Sequence, residues 1–126
     1  IFFLNKKTYS DANKIVLLGA PSTFAAIIER YKKIMGFRNK IDKGIDRYIK
    51  LTFGHPPSYY STANFIKNID CRGLIFHDKR DPVIPYDDAL EIDLQFKNAK
   101  LISTEGLGHS LKGKYIYDEI IKFLSD

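Results

Sequence analysis

Two short stretches hold residues suited to proton-transfer chemistry: "HDKRD" at 77–81 and "TEGLGHS" at 104–110. Each follows an apolar run, and together they offer a carboxylate, Asp81, and an imidazole, His109. A histidine takes a proton from a hydroxyl effectively when its other ring nitrogen is held in one tautomer and its growing positive charge is stabilised, which a carboxylate within hydrogen-bond reach does. Asp81 and His109 meet that need if the runs before them are neighbouring strands. Gly106 and Gly108 let the second loop turn sharply beside the ring, and Asp81 also suits the start of the "DP" turn. The first stretch offers a second chemistry, because His77, Asp78 and Asp81 are all potential metal ligands. The His-Asp pair ends a strand, however, and nothing else in the chain stands at ligand spacing.

Either chemistry depends on the elements that carry these loops. Three β-rich runs are visible: "KIVLL" (14–18), "GLIFH" (73–77) and "KLIST" from Lys100. The first two are apolar almost throughout and lead into Gly, Asp or Pro signals, which predicts strands buried on both faces of a parallel sheet. From Ser22, a suitable N-cap, Phe24, Ile27, Ile28, Tyr31 and Met35 recur at helical spacing. A second stripe, Ile41, Ile45, Tyr48, Ile49 and Thr52, is ended by "GHPP" (54–57), and Thr62, Phe65, Ile66 and Ile69 predict a short third helix. After the second strand Ala89, Ile92 and Phe96 make one helix, with Asp87 and Asp88 at the positive end of its dipole. Ile116, Ile120, Phe123 and Leu124 make the last. This alternation predicts a parallel α/β sheet, in which working residues collect in loops at the carboxyl ends of the strands. Those loops are "GAPST" (19–23), "DKRDPVIP" (78–85) and "EGLGHS" (105–110).

At these loops a family resemblance becomes specific. The stretch "RGLIFHDKRDPVIPYDDALEIDLQFKNAKLISTEGLGHS" resembles the C-terminal portion of the α/β-hydrolase fold, with a D-x-x-V-P-like acid loop after one strand and a G-x-G-H loop after the next. The match is strong over 72–126 and in outline elsewhere. It implies a three-layer, parallel-sheet α/β architecture reduced to its last three strands, with 1–126 forming the C-terminal part of one hydrolase domain and 23–69 a helical lid-like insertion. By the same resemblance Asp81 is the catalytic acid, His109 the catalytic base, and His77 a structural residue shaping the acid loop. "KIVLLGAPS" is similar to the strand after the nucleophile helix, so residues 1 to about 10 would end that helix. Tyr59, Tyr60 and Phe65 are better read as packing within the lid and are also the candidates for a substrate pocket. No nucleophile elbow of the type G-x-S-x-G occurs here. Ser22 follows the wrong strand and Ser110 is a neighbour of His109 in sequence only, so the expected nucleophile lies upstream. The resemblance thus implies an esterase-like hydrolase acting on a small acyl substrate without a cofactor, the chain alone being inactive.

Two other readings remain open: a non-catalytic α/β interaction module, and a metal-dependent phosphohydrolase using His77, Asp78 and Asp81. An unpaired edge at strand 14–18 would favour self-association or pairing with a missing N-terminal half.

At 126 residues the chain is one domain, able to bury roughly two-thirds of its unfolded surface. No apolar run approaches the ~20 residues of a membrane span. The net charge of +5 could suggest an acidic partner, but the 20 Lys and Arg are scattered among 15 Asp and Glu, which argues against nucleic acid. A single cysteine, Cys71, excludes an internal disulfide and suits a buried structural thiol in a reducing, cytoplasmic setting.

Overall fold

The computed structural model describes residues 12–36 and 39–126. The expected end of a nucleophile helix, at residues 1 to about 10, lies outside them. Along the chain run β1 (Lys14–Leu18), α1 (Phe24–Met35), α2 (Asn39–Phe53), a 3-10 turn (Pro57–Tyr59), α3 (Thr62–Ile66), β2 (Arg72–Asp78), α4 (Tyr86–Gln95), β3 (Ala99–Thr104) and α5 (Lys114–Ser125). The strands form one parallel sheet in the order β1-β2-β3, with Leu18 opposite Phe76 and Asp78 opposite Thr104.

Alternation of side chains along each strand makes three layers. Ile15, Leu17, Ile75 and Leu101 face one side, where Ala63 and Ile66 of α3 and Ile92 and Phe96 of the α4 segment cover them. Val16, Leu74, Phe76 and Ile102 face the other, against Ile116, Ile120 and Phe123 of α5. Every residue of β2 after Arg72 is buried, which is why the strand is apolar without a break from Gly73 to Phe76. Burying side chains such as Ile75 and Phe76 stabilises the fold by about 1.5–3 kcal/mol each. The sequence predicts the same double burial for β1, but β1 lies at the sheet edge and its side chains are only half-buried, with Leu18 50% exposed. Cys71 is buried in the first core cluster, and burial, reinforced by the charge of Asp70, pushes its thiol pKa up.

The helical segment between β1 and β2 is held by polar contacts. Thr23, not the expected Ser22, caps α1: its Oγ1 accepts the Ala26 amide at 3.2 Å. Ser22 is instead buried, its carbonyl accepting from Ser61 Oγ and the Ala63 amide of α3. Lys32 of α1, 6% exposed, reaches Glu29 at 2.9 Å and Asp46 of α2 at 3.3 Å. The bond to Glu29 raises the Lys32 pKa, burial opposes the rise, and Asp46 adds to it. Gly54, with φ of 87°, stands just past α2 as the "GHPP" signal predicts. No helix among the described residues is long and apolar enough to cross a membrane.

Gly73 sets the approach of α4 to β2. A Cβ at this position would overlap the Phe96 ring and come within 2.8 Å of the Ala99 Cβ. Gly73→Ala should therefore destabilise the fold by about 1–3 kcal/mol through overpacking, measured as a lower urea midpoint with an unchanged slope.

Candidate active site

The three strands release their loops at the same end of the sheet, and all three loops meet there. Asp81 is built into the first by an Asx turn: its Oδ1 accepts the Val83 amide at 2.7 Å and the Ile84 amide at 3.0 Å. This leaves Oδ2 to accept Nδ1–H of His109 at 2.8 Å. The Asp81 side chain is fully buried, whereas 44% of the His109 side chain is exposed. Burial opposes ionisation of Asp81, but the bond to His109 and the Ile84 and Val83 amides outweigh it, so its pKa lies below the ordinary carboxylate value. In a neutral ring with Nδ1 carrying the proton, Nε2 of His109 is the acceptor.

The loop around His109 owes its shape to glycine. Gly106 and Gly108 have φ of 97° and 61°, in the left-handed region. Leu111, itself at φ 47°, is buried against Phe76 and Ile116 and anchors the end of the loop in the core. Gly19, at φ 53° in the loop after β1, faces the ring directly: an added Cβ would lie 3.2 Å from His109 Nδ1. No periodicity or motif in the sequence marks Gly19 as a neighbour of the histidine; its place after a strand is the only signal.

His77 and Asp78 are both fully buried and both do structural work around the pair. His77 Nε2–H donates to the Ile84 carbonyl at 3.0 Å, securing the far end of the acid loop, and lies 3.6 Å from Asp81 Oδ2. Its Nδ1 is buried with no hydrogen-bond partner among the described residues. Asp78 Oδ1 accepts the Arg80 amide at 2.9 Å, and Oδ2 accepts Thr104 Oγ1 at 2.8 Å and the Leu107 amide at 2.7 Å. Burial again opposes ionisation, yet the Arg80 and Leu107 amides, the Thr104 hydroxyl and the Gly106 amide lower its pKa to about 2. The metal reading of His77, Asp78 and Asp81 is thereby corrected. Apart from Nδ1 of His77, their donor atoms are turned to backbone groups, Thr104 and His109, and among the described residues no three His, Cys, Asp or Glu side chains are grouped to hold an ion. The buried Asp closing an apolar strand was the available sign of Asp78, since such a charge requires several donors.

Asp88, expected to complement the dipole of α4, also accepts the Ser22 amide on Oδ2 at 2.9 Å. It thus ties the loop after β1 to the helix after the acid loop. Arg30 of α1 donates to the Val83 carbonyl, so the helical segment touches the acid loop directly. Exposed Arg80 and Glu105 pair at 2.7 Å across the other side. Tyr59, Tyr60 and Phe65 pack together, Tyr59 stacking on His55 at 3.8 Å and meeting Phe65 edge-on at 5.9 Å. A shallow cavity lined by Ile28, Glu29, Asp46 and Pro57 includes neither these rings nor Asp81 and His109. Among the described residues, no hydroxyl or thiol hydrogen-bonds to His109. Ser22 is buried, its amide turned to Asp88, and Ser110 is exposed.

The geometry defines a portion of the α/β-hydrolase fold: a parallel sheet flanked by helices, with an acid loop and a histidine loop on adjacent strands. Solved structures agree. The protein named as non-heme bromoperoxidase BpoC from Mycobacterium tuberculosis superposes with a TM-score of 0.63 at 12% identity, over 95% of this chain and 62% of its own. An α/β hydrolase from the sediment metagenome of the Mar Chica lagoon, Morocco, gives 0.61 at 14% identity, over 95% and 53%. An α/β-fold hydrolase from Bacillus anthracis gives 0.56 at 18% identity, over 95% and 61%. The chain thus spans little more than half the length of the structures it matches. No protein-family model and no curated protein matches it in sequence.

Because the pKa values of Asp78 and Asp81 lie below the ordinary 3.8, their contribution to stability is complete above that value and is lost as pH falls through their lowered values, that of Asp78 being about 2. Thermal melts taken between about pH 5 and pH 2.5 should show a steep loss, and Asp81→Asn should make the slope shallower by removing one of the two carboxylates.

Proposed function

We propose that this chain carries the acid and base of an esterase-like hydrolase. The observation that supports this best is the 2.8 Å bond from His109 Nδ1–H to a buried Asp81, which leaves Nε2 available on a half-exposed ring. In this reading Nε2 takes the proton from a nucleophile supplied by another part of the protein as that nucleophile adds to an acyl carbon. His109 then returns the proton to the leaving group, takes another from the water that attacks the acyl intermediate, and passes it back to the nucleophile as the acid departs. Asp81 holds the Nδ1–H tautomer and stabilises the imidazolium. The hydrolases among the matched structures support the class and leave the substrate to be found. The substrate in this reading is a small acyl compound.

The segment 23–69 acts as a lid in this proposal, with Tyr59, Tyr60 and Phe65 on its inner wall. The open edge of β1 takes a further strand, from the rest of a longer polypeptide or from a second copy.

In the full-length protein, His109→Ala should lower turnover of a small activated ester by about 10²–10⁴-fold while leaving the fold intact. Asp81→Asn should fall in the same range through loss of the tautomer. Turnover equal to wild type in His109→Ala would remove the assignment. For the edge, sedimentation of the 126-residue chain at micromolar concentration should show association; a monodisperse monomer would exclude pairing of two copies through β1.

A further inference from the structure

Asp81 has its hydrogen bonds accounted for by the Asx turn and by His109, but nothing in the pair itself explains why the histidine loop is at the right height above β3. Asp78 supplies that explanation. It is the last residue of β2, pairs in register with Thr104, the last residue of β3, and is completely buried. Its carboxylate divides its acceptors between the two loops. Oδ1 binds the Arg80 amide, one residue before Asp81, and Oδ2 binds Thr104 Oγ1 and the Leu107 amide, two residues before His109. The Gly106 amide adds to the same group. Lys79 N–H to the Thr104 carbonyl, at 2.9 Å, extends the sheet by one rung below this clamp.

The two acids of "HDKRD" therefore form two successive rungs between the same pair of loops. Asp78 grips the backbone at Leu107, and Asp81 grips the side chain at His109. The first rung is charged and sealed from water, so it is short, directional and stronger than a neutral hydrogen bond. The Gly106 turn folds around it, placing backbone amides where a carboxylate needs donors.

We propose that Asp78 is a positioning residue for catalysis: through the Leu107 amide and Thr104 hydroxyl it sets the distance between Asp81 and His109 and thereby the tautomer and reach of the imidazole. The proposal rests on the reading of His109 as the base. An uncharged replacement of the same shape cannot substitute. In Asp78→Asn the new side-chain amide would present one carbonyl and one NH2 to sites occupied only by donors, so one loop must be released.

The test is made on the full-length protein with Asp78→Asn and Thr104→Val, each checked for folding by circular dichroism and thermal melting. Two readouts are taken: the kcat and KM for a small activated ester, and the ring 15N shifts of His109, which report its tautomer and its bond to Asp81. Asp78→Asn should lower kcat by about 10²-fold with KM within about twofold, since displacement of a catalytic group by about 1 Å costs that much. Its His109 shifts should move from a single Nδ1–H form towards the tautomer mixture of a free imidazole. Thr104→Val removes one of the bonds and keeps both amides, so it should lower kcat by about tenfold, with a partial tautomer change. Should Asp78→Asn not fold, Thr104→Val decides alone. A folded variant with wild-type His109 shifts and wild-type kcat overturns the proposal. A fall in kcat with unchanged shifts overturns it equally, because the histidine would then not be the intermediary. If the wild-type protein hydrolyses no acyl substrate, the esterase reading fails, while the His109 shifts still decide whether Asp78 positions the ring.

Discussion

A carboxylate buried at the end of an apolar strand has to be surrounded by donors, and much of this molecule's functional end follows from that requirement. β2 runs through the middle of the sheet, buried on both faces, and finishes in His77 and Asp78 without reaching solvent. The carboxylate of Asp78 could not stay there unmatched, since an isolated buried charge is far more costly than a neutral side chain. The matching groups come from the backbone of the loops on either side: Arg80 from the loop that β2 feeds, Leu107 from the loop that β3 feeds, and Ile84 for the imidazole. Satisfying the end of one strand therefore draws two loops together. Asp81 and His109 meet as part of that arrangement.

Layer packing makes the arrangement rigid. Gly73 allows Phe96 to close against β2 from one side, while Phe76 and Leu111 lock β2 to α5 and to the end of the histidine loop from the other. Leu111 links the two levels, being both a core residue and the foot of the loop that carries His109. On the opposite flank Ser22, Asp88 and Ser61 join the β1 loop, α4 and α3 through hydrogen bonds of 2.9–3.2 Å. The helical segment is thus attached to the sheet at its base, and Arg30 extends that attachment to the acid loop.

The strands and helices were legible because their signals are local. Short β-rich runs of five residues, stripes at helical spacing, and Gly54 with two prolines each act within one or two turns of chain. Ser22 shows where such reading stops. Ser22 and Thr23 are both good caps, and the choice fell to Thr23 because Ser22 is buried under α3, with its amide turned to Asp88. Asp88 had the same double identity, suited to a helix dipole by position and employed in a bond to a residue 66 places away. The burial of β1 was overestimated for a similar reason: an apolar strand reads the same at the edge of a sheet as at its centre.

By itself the sequence determined a parallel α/β unit and the two loops where an acid and a histidine stand, because residue type, alternation and turn chemistry are properties of short segments. Only the tertiary structure brought Asp81 within hydrogen-bond reach of His109 and decided what the other acid of "HDKRD" does. Asp78 and Asp81 are three residues apart and chemically identical, and while the "DP" loop pattern singles out Asp81, nothing local gives Asp78 its separate task. The separation comes from the strand end: Asp78 is still within the sheet and must bond to backbone amides, while Asp81 is one turn beyond it, with Oδ2 free to meet the ring.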